Sequence, residues 1–437
     1  MFLSPAPLFD TVTSLRSDRL DLVTYIGEIC DRIDALDSEL HVLLQEPDRR
    51  GRLMKEAAAL KARFPDPESR PPLYGVPVGV KDIFRVDGVL TRAGSRLPPE
   101  LFAGPEAACV SKLRAAGSLI LGKTVSTEFA YREPGPTRNP HNLDHTPGGS
   151  SSGSAAAVAA GFCPLALGTQ TVGSVIRPAA YCGIVGFKPS YSRIPTAGLI
   201  FFSESVDHVG LFTQDVAGMK LAASLLCGDW TQRKETVRMP VLGVPKGPYL
   251  KQASSEALAA FERQLKLLEE NGYSIRHIPA LQDITSIAQR HRKMVAAEMA
   301  QVHAQWFSQY EALYRPATAA LIHEGQKVSA HELAEGRAGR DKLRIQLEAL
   351  MAERGIDLWV SPAAPGPAPE GIDSTGDPAM NMPWTHAGLP TITLPAGLAP
   401  NGLPLGLQLT ASFMGDERLL VWAEPLAEIL RRADAAK

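Results

Sequence analysis

Residues 146–176 have the sequence TPGGSSSGSAAAVAAGFCPLALGTQTVGSVI, which contains no charged side chain and no histidine. The whole chain has 437 residues, with 45 Lys and Arg and 47 Asp and Glu, so a charge-free run of this length needs a physical reason. Its prolines and its Gly/Ser-rich start argue against a membrane-spanning helix, which needs roughly 20 mostly apolar residues. We predict instead a hydroxyl-rich loop at 148–154 that leads into a short helix of small residues at 155–160.

A second loop of small residues, 169–174, follows a short apolar strand predicted at 164–168. Its backbone N–H groups are candidates for holding a developing oxyanion. The run therefore carries two serine-bearing turns, with Ser150 and Ser174 separated by 24 residues, but it contains no base. Upstream, Lys81 ends an apolar strand predicted at 75–80. Burial there would lower the pKa of the lysine, and a neutral lysine can act as a base for serine.

The composition is that of a globular protein, since 45% of the residues are hydrophobic, 21% are charged and the formal net charge is −2. A nucleic-acid partner is not expected because the chain has no basic excess. The five cysteines show no C-x-x-C spacing, and the N-terminus lacks the basic and apolar regions of a signal peptide. These features predict a cytoplasmic protein with reduced cysteines and with no zinc or membrane site.

Hydrophobic spacing predicts strands and helices in alternation along most of the chain, which indicates an α/β layer architecture. Strands are predicted at 75–80, 118–121, 164–168, 241–244, 358–360, 391–394 and 405–409. Helices are predicted at 18–45, 107–116, 155–160, 212–226, 255–270, 284–307, 330–353 and 417–430. The Pro/Gly-rich segment 365–377 lies between strands, and we interpret it as a long loop over the sheet.

Three short motifs suggest other chemistries, but their context is unfavourable. Residues 117–124 match a phosphate-binding loop, yet their interior is Leu-Ile-Leu and reads as a buried strand. Residues 149–153 match the G-x-S-x-G nucleophile elbow of α/β-hydrolases, but a loop precedes them where a strand is required. His141 and His145 have metal-ligand spacing only if they lie on a helix, whereas the neighbouring prolines predict a turn-rich loop.

Ordered segments along the chain resemble the amidase signature family, and together they span roughly residues 20–430. The resemblance is carried by 75–82 (GVPVGVKD), 121–124 (LGKT), 128–130 (EFA), 147–158 (PGGSSSGSAAAV), 168–174 (GTQTVGS), 177–180 (RPAA), 182–189 (CGIVGFKP), 205–210 (SVDHVG), 388–390 (GLP) and 402–408 (GLPLGLQ). It implies one large α/β domain over residues 1–437, with a signature core at about 70–215 and a mixed central sheet covered by helices on both faces.

The resemblance also implies an amidohydrolase with a Ser–cisSer–Lys triad. Lys81 is then the base, Ser150 the bridging serine on a cis peptide, and Ser174 the nucleophile that forms an acyl-enzyme. The backbone N–H groups of Thr171, Val172, Gly173 and Ser174 form the oxyanion hole. The implied substrate is a small-molecule amide that releases ammonia, without a metal or cofactor, in a monomer or possible homodimer.

The chain departs from the common family loop Gly-Thr-Asp-Thr-Gly-Gly-Ser-Ile-Arg at three positions. Gln170 replaces the aspartate, and the arginine falls three residues after the nucleophile, as Arg177. Both features, with the segment 374–378, resemble the malonamidase branch, in which the matching arginine binds the free carboxylate of the substrate. This predicts a monoamide acid such as malonamate, with a structural Arg177 paired to a local carboxylate as the alternative. Val172 replaces a glycine, where a β-branched side chain would tolerate a positive φ poorly and would add bulk beside the oxyanion hole.

Two other functions stay open at this point. The A-type component of an amidotransferase would deliver ammonia to a charged tRNA through partner chains, although Gln170 and Arg177 speak against it. A non-catalytic descendant of the family is the second alternative, motivated by Val172. His386 stands where many relatives have asparagine, so the acyl pocket is expected to differ there.

Overall fold

The fold is built on ten strands that form one mixed sheet in the order β2-β1-β3-β5-β4-β9-β10-β8-β6-β7. The computed structural model describes residues 2–231 and 238–435. The strands are β1 (Pro77–Lys81), β2 (Leu119–Thr124), β3 (Leu165–Gln170), β4 (Val185–Lys188), β5 (His208–Thr213), β6 (Leu242–Lys246), β7 (Ile275–Pro279), β8 (Leu358–Pro362), β9 (Thr391–Leu398) and β10 (Pro404–Thr410). Strands β2, β1 and β3 run parallel, as do β7, β6 and β8, and the pairs between these two groups are antiparallel.

Helices cover both faces of this sheet and complete a single α/β domain, as predicted. They are α1 (Leu8–Arg16), α2 (Leu22–Leu40), α3 (Arg49–Arg63), α4 (Ala108–Ala115), α5 (Ser152–Ala159), α6 (Ile176–Tyr181), α7 (Val216–Leu226), α8 (Ser255–Glu270), α9 (Ile284–Val302), α10 (Ala304–Tyr310), α11 (Pro316–Gly325), α12 (Ala330–Arg354), α13 (Met382–His386) and α14 (Asp416–Ala435). No helix in the described ranges is long and apolar enough to cross a membrane.

The register of the parallel strands brings two distant parts of the chain to one edge of the sheet. Val80 of β1 pairs with Leu167 of β3, so the carboxyl ends of both strands lie side by side. Lys81 is the last residue of β1, and Thr169 lies near the end of β3. Strands buried on both faces read as continuous apolar runs, which is why β1 was visible in the sequence.

Burial accounts for the charge-free run. Every residue of 146–176 is buried except Val172, which is partly exposed. Helix α5 lies inside the molecule with all eight of its residues buried, and it packs against β1, β2, β3 and β5. A Cβ on Gly153 would stand only 2.4 Å from the backbone nitrogen of Val125, so this helix approaches its neighbours too closely for a larger residue. A charge in such a position would lose its hydration without gaining a partner.

The largest differences from the predicted elements concern strands that end against helices. The helix predicted at 212–226 begins only at Val216, because residues up to Thr213 belong to β5, which pairs with β3 and β4. Residues 117–124 form no phosphate loop, since 119–124 are β2 and the Lys123 ammonium is buried against Asp82 and Thr91. All five cysteines are buried and free, as the sequence suggested.

Candidate active site

Lys81 lies at the carboxyl end of β1 and is completely buried. Its Nζ donates hydrogen bonds to Ser150 Oγ at 2.7 Å and to Thr169 Oγ1 at 2.8 Å, and no carboxylate in the described ranges forms a salt bridge with it. Burial lowers the pKa of Lys81 to about 7, because the charged form loses its hydration, while the negative charge of Asp207 acts in the opposite direction. A large fraction of this lysine is therefore neutral at physiological pH.

Ser150 follows a cis peptide bond from Gly149, as the family resemblance implied. The loop is fixed on both sides: the Thr127 N–H donates to the Ser150 carbonyl at 3.2 Å, and the Thr169 N–H donates to Ser151 Oγ at 3.3 Å. The contact between Lys81 and Ser150 is thus held by the parallel strands β1 and β3 and by the loop that enters α5.

The loop 171–174 is tied down by the carboxamide of Gln170. Its Oε1 accepts hydrogen bonds from the backbone N–H groups of Val175 at 2.8 Å and Ile176 at 3.0 Å. Its Nε2 donates to Thr385 Oγ1 at 2.8 Å, which the carboxylate of an aspartate could not do. Gln170 therefore satisfies the free N–H groups at the start of α6 and links the loop to α13.

A second anchor of this loop is Asp207, whose Oδ1 accepts a hydrogen bond from Thr171 Oγ1 at 2.5 Å. Its Oδ2 accepts from the N–H groups of Phe202 at 2.8 Å and Ser203 at 3.0 Å. Burial raises the pKa of Asp207 to about 6, although these hydrogen bonds oppose the shift. Thr169 and Asp207 both lie within segments that carry the resemblance, at 168–174 and 205–210, but spacing alone gave them no role.

The two central residues of the loop pack differently. Gly173 needs its missing side chain, because a Cβ there would lie 2.4 Å from Asn381 Oδ1. Val172 is not among the described residues with positive φ, so the backbone strain expected there does not arise. Its carbonyl instead accepts a hydrogen bond from Thr385 Oγ1 at 2.7 Å, and its side chain forms part of a cavity wall.

Ser174 lies between this loop and α6 and is 7% exposed. In the described part of the chain its hydroxyl makes no hydrogen bond, so Lys81 and Ser150 are in direct contact but Ser174 and Ser150 are not hydrogen-bonded. Catalytic hydrogen bonds are often formed only when substrate is bound. The two loops nevertheless meet, since a Cβ on Gly148 would lie 2.8 Å from Pro178 Cα at the start of α6.

Arg177 joins these loops from below. Its Nη2 donates to the Gly149 carbonyl at 2.6 Å and to Thr375 Oγ1 at 3.1 Å. Nε and Nη1 are buried and have no hydrogen-bond partner, and within residues 2–231 and 238–435 no carboxylate forms a salt bridge with this arginine. Burial lowers its pKa, while Tyr181 and Asp377 act in the opposite direction. The local carboxylate that a purely structural Arg177 requires is therefore not found.

A cavity of about 500 Å³ opens beside the loop 171–174. Val172 and Thr375 form its inner wall, α9 supplies His291 and Arg292, and the aromatic rings of Tyr131 and Phe202 lie across from them with centroids 5.4 Å apart. Segment 373–378, which belongs to the long loop predicted over the sheet, forms another wall. The cavity thus connects the candidate nucleophile loop to the outside.

The histidines have roles other than those first considered. His386 does not line the cavity; it lies behind His291, with the two Nδ1 atoms 3.2 Å apart. His141 Nε2 and His145 Nδ1 each contact a backbone carbonyl, of Cys182 at 3.0 Å and of Ala368 at 2.9 Å. No cluster of metal-ligating side chains occurs in the part of the chain that the structure describes.

The family is decided by the match between this chain and the amidase family model, which covers residues 25–420. The chain belongs to the amidase family. It is accordingly a hydrolase that acts on carbon–nitrogen bonds of amides, and serine triads of the kind seen here as Lys81 and Ser150 are typical of this family.

Individual amidase relatives agree over nearly the whole chain. The A-type component of the glutamyl-tRNA(Gln) amidotransferase of Trichlorobacter lovleyi is 30% identical, over 93% of this chain and 94% of that one. A crystal structure of an amidase matches with a TM-score of 0.88 and 30% identity, over 97% of this chain and all of that one. A peptide amidase from Stenotrophomonas maltophilia matches with a TM-score of 0.83 and 26% identity, over 98% and 97% of the two chains.

Proposed function

We propose that this amidase hydrolyses small primary carboxamides that carry a second, anionic carboxylate group. The observation that carries this proposal is Arg177, a buried guanidinium with two unpartnered nitrogens next to the peptide that precedes Ser150. A buried charge without a counter-ion is costly, so a ligand that supplies one is favoured. Arginine also suits the recognition of carboxylates better than lysine does. This substrate class is the one expected for the malonamidase branch, for example malonamate.

In the proposed mechanism, neutral Lys81 accepts a proton from Ser150, which accepts the proton of Ser174. Ser174 Oγ then attacks the carbonyl carbon of the amide and forms the new C–O bond. The backbone N–H groups of residues 171–174 stabilise the negative charge on the carbonyl oxygen. Ser150 returns a proton to the nitrogen, the C–N bond breaks, and ammonia leaves.

Water then attacks the acyl-enzyme through the same relay. Its proton passes to Ser150 and Lys81, the ester bond to Ser174 breaks, and the acid is released. The direct contact between Lys81 Nζ and Ser150 Oγ at 2.7 Å supports the first transfer. The absence of strain at Val172 removes the reason for regarding this chain as a non-catalytic descendant.

The test compares ammonia release from matched amides with and without a distal carboxylate, such as succinamate and butyramide. We expect wild-type protein to prefer the acid. Arg177→Met should lower kcat/KM for succinamate by roughly 100-fold, since a charged hydrogen bond and its counter-ion are lost, and leave butyramide nearly unaffected. Arg263→Met, which removes an exposed arginine, is the matched control. Unchanged discrimination in Arg177→Met would contradict carboxylate recognition.

The curated relative named above makes a component of an amidotransferase the second candidate. The two functions differ in what the isolated chain does. A hydrolase should release ammonia from a carboxylate-bearing amide without added proteins, and a fluorophosphonate should label Ser174 under the same conditions. Labelled protein that hydrolyses none of the amides until a partner chain is added would favour the amidotransferase instead.

A further inference from the structure

Two buried histidines stand behind one wall of the cavity. His291 lines the cavity together with Val172, and His386 lies one layer deeper. Their Nδ1 atoms are 3.2 Å apart, so one ring donates a hydrogen bond to the other. Nε2 of each ring is buried and has no partner in the described ranges. For His291, such an atom beside a ligand cavity is a candidate substrate contact.

The charges around His386 decide which ring donates. Both rings are neutral, because burial lowers the pKa of each. A Cβ on Gly339 would lie 3.4 Å from both Arg290 Nε and His386 Nε2, and Arg340 also acts on this ring. The positive charges favour a lone pair on His386 Nε2, so the proton of His386 lies on Nδ1. His386 then donates to His291 Nδ1, which leaves the proton of His291 on Nε2.

The surroundings of His291 agree with a donor at this position. The Thr171 carbonyl and the carboxylate of Glu298 both raise the pKa of His291, against the effects of burial and of Arg340. Oxygen atoms thus face the ring from the loop 171–174 and from its own helix α9. A substrate oxygen that enters the cavity beside Val172 would meet an N–H group that has no other partner.

The cavity is also larger than the smallest substrate requires. A monoamide acid with seven heavy atoms, such as malonamate, takes up roughly 200 Å³ if each atom occupies no more than the about 30 Å³ of a liquid water. The cavity measures about 500 Å³. Because the leaving group of a primary amide is only ammonia, the remaining space is available to the acyl group.

We infer that His291 is a specificity-determining residue, whose Nε2–H group donates a hydrogen bond to a carbonyl oxygen within an acyl chain longer than that of malonamate. His386 is a positioning residue that holds His291 in this tautomer. The inference rests on the proposed function, since it takes the cavity to hold the acyl part of an amide.

The test uses two primary amides of equal length, each with a terminal carboxylate, of which one has a carbonyl and the other a methylene in mid-chain. We expect wild-type protein to favour the carbonyl compound in kcat/KM by about tenfold, the range of one neutral hydrogen bond. His291→Leu should bring this ratio close to one, mainly through KM for the carbonyl compound. A ratio that stays the same in His291→Leu, or an equal loss of kcat for both compounds, would overturn the inference in favour of a structural role beneath Thr171.

His331→Leu is the matched control, because it makes the same change at an exposed histidine. The same pair of acyl chains, as the free acids, is also measured by calorimetric binding to wild-type protein and His291→Leu. This measurement requires no turnover, so it tests His291 even if no amide is hydrolysed. Hydrolysis failure with a His291-dependent difference in binding would reject the proposed function alone, and equal binding of both acids would reject the role of His291.

The tautomer itself can be read by nitrogen NMR of histidine-labelled protein, with His291→Leu used to assign the signal. We expect a neutral ring protonated at Nε2. His386→Asn, which keeps a donor towards His291, should preserve both the signal and the substrate ratio. His386→Phe should shift the tautomer equilibrium and reduce the ratio. A His291 ring protonated at Nδ1 in wild-type protein would contradict the proposed arrangement.

Discussion

At the scale of single residues, the site depends on a lysine that burial keeps from being permanently charged. Lys81 contacts two hydroxyl groups and no carboxylate, so little besides water exclusion determines its protonation. The sequence allowed this residue to be chosen, since Lys81 ends an apolar strand. It did not show Thr169 or Asp207 as its neighbours, because contacts across a sheet depend on strand register, which spacing along the chain does not give.

The first prediction concerns the pH dependence of hydrolysis. The pKa of Lys81 is lowered to about 7, and only the neutral form can accept a proton, so activity should be high above this pH and fall as the pH drops below it. A kcat/KM profile between about pH 5 and 9 measures this. A profile that stays flat through pH 6 would argue against Lys81 as the base.

Replacing the base should remove the chemistry and leave the fold. Lys81→Met keeps an apolar side chain of similar length in a fully buried position, and we expect kcat to fall by roughly 10²–10⁴, the contribution of a general base. Circular dichroism and the unfolding temperature check that the protein is folded. Substantial activity in folded Lys81→Met would defeat the triad assignment.

Asp207→Asn provides a second test with a defined sign. The negative charge of Asp207 raises the pKa of Lys81, so its removal should lower that pKa further. Lys81 would then be neutral at lower pH, and the acid limb of the profile should move to lower pH. Asparagine keeps one carbonyl oxygen for the contacts of the loop. An unmoved or upward-shifted limb would mean that another group controls the profile.

At the scale of elements, the loop 171–174 is set by packing against α13 and not by unusual backbone angles. Gly173 is needed because Asn381 is close, and Gln170 is needed because two N–H groups at the start of α6 require an acceptor. The sequence indicated a loop of small residues but suggested the wrong reason at Val172, where we expected positive φ. Distinguishing close packing from backbone conformation requires the neighbouring element, which lies about 200 residues further along the chain.

Two glycine substitutions should therefore have opposite effects. In Gly173→Ala, the added Cβ would displace the loop, so fluorophosphonate labelling of Ser174 should slow markedly. In Gly27→Ala, the added Cβ has no atom within 4 Å and lies inside α2, so the protein should be stabilised by about 1 kcal/mol from helix propensity alone. Labelling rates and denaturant unfolding measure the two effects. Equal labelling rates in Gly173→Ala and wild type would show that the loop adapts.

At the scale of the whole molecule, one sheet connects the first and last parts of the chain. Strands β6, β7 and β8 join the same sheet as β1, β2 and β3 through antiparallel pairs. The alternation of helices and strands predicted this architecture. It missed β4, β5 and β7 and the helices α1, α3 and α11, because short strands and polar helices have weak periodicity and are stabilised mainly by tertiary contacts.

We propose that residues 1–437 unfold as one cooperative domain. Tryptophan fluorescence and far-ultraviolet circular dichroism should report the same midpoint in denaturant, because the sheet continues through the chain. Two separate midpoints would indicate independent subdomains. Light scattering of the folded protein tests the predicted possibility of a homodimer in the same preparation.

The buried cysteines have a practical consequence for following the site in solution. Burial raises the pKa of all five thiols, which makes them poor nucleophiles at neutral pH. A cysteine introduced at exposed Asp373, on the rim of the cavity, would therefore react with a maleimide dye well before the native ones. A fluorophore attached there would report substrate entry optically, without any need to remove the native cysteines first.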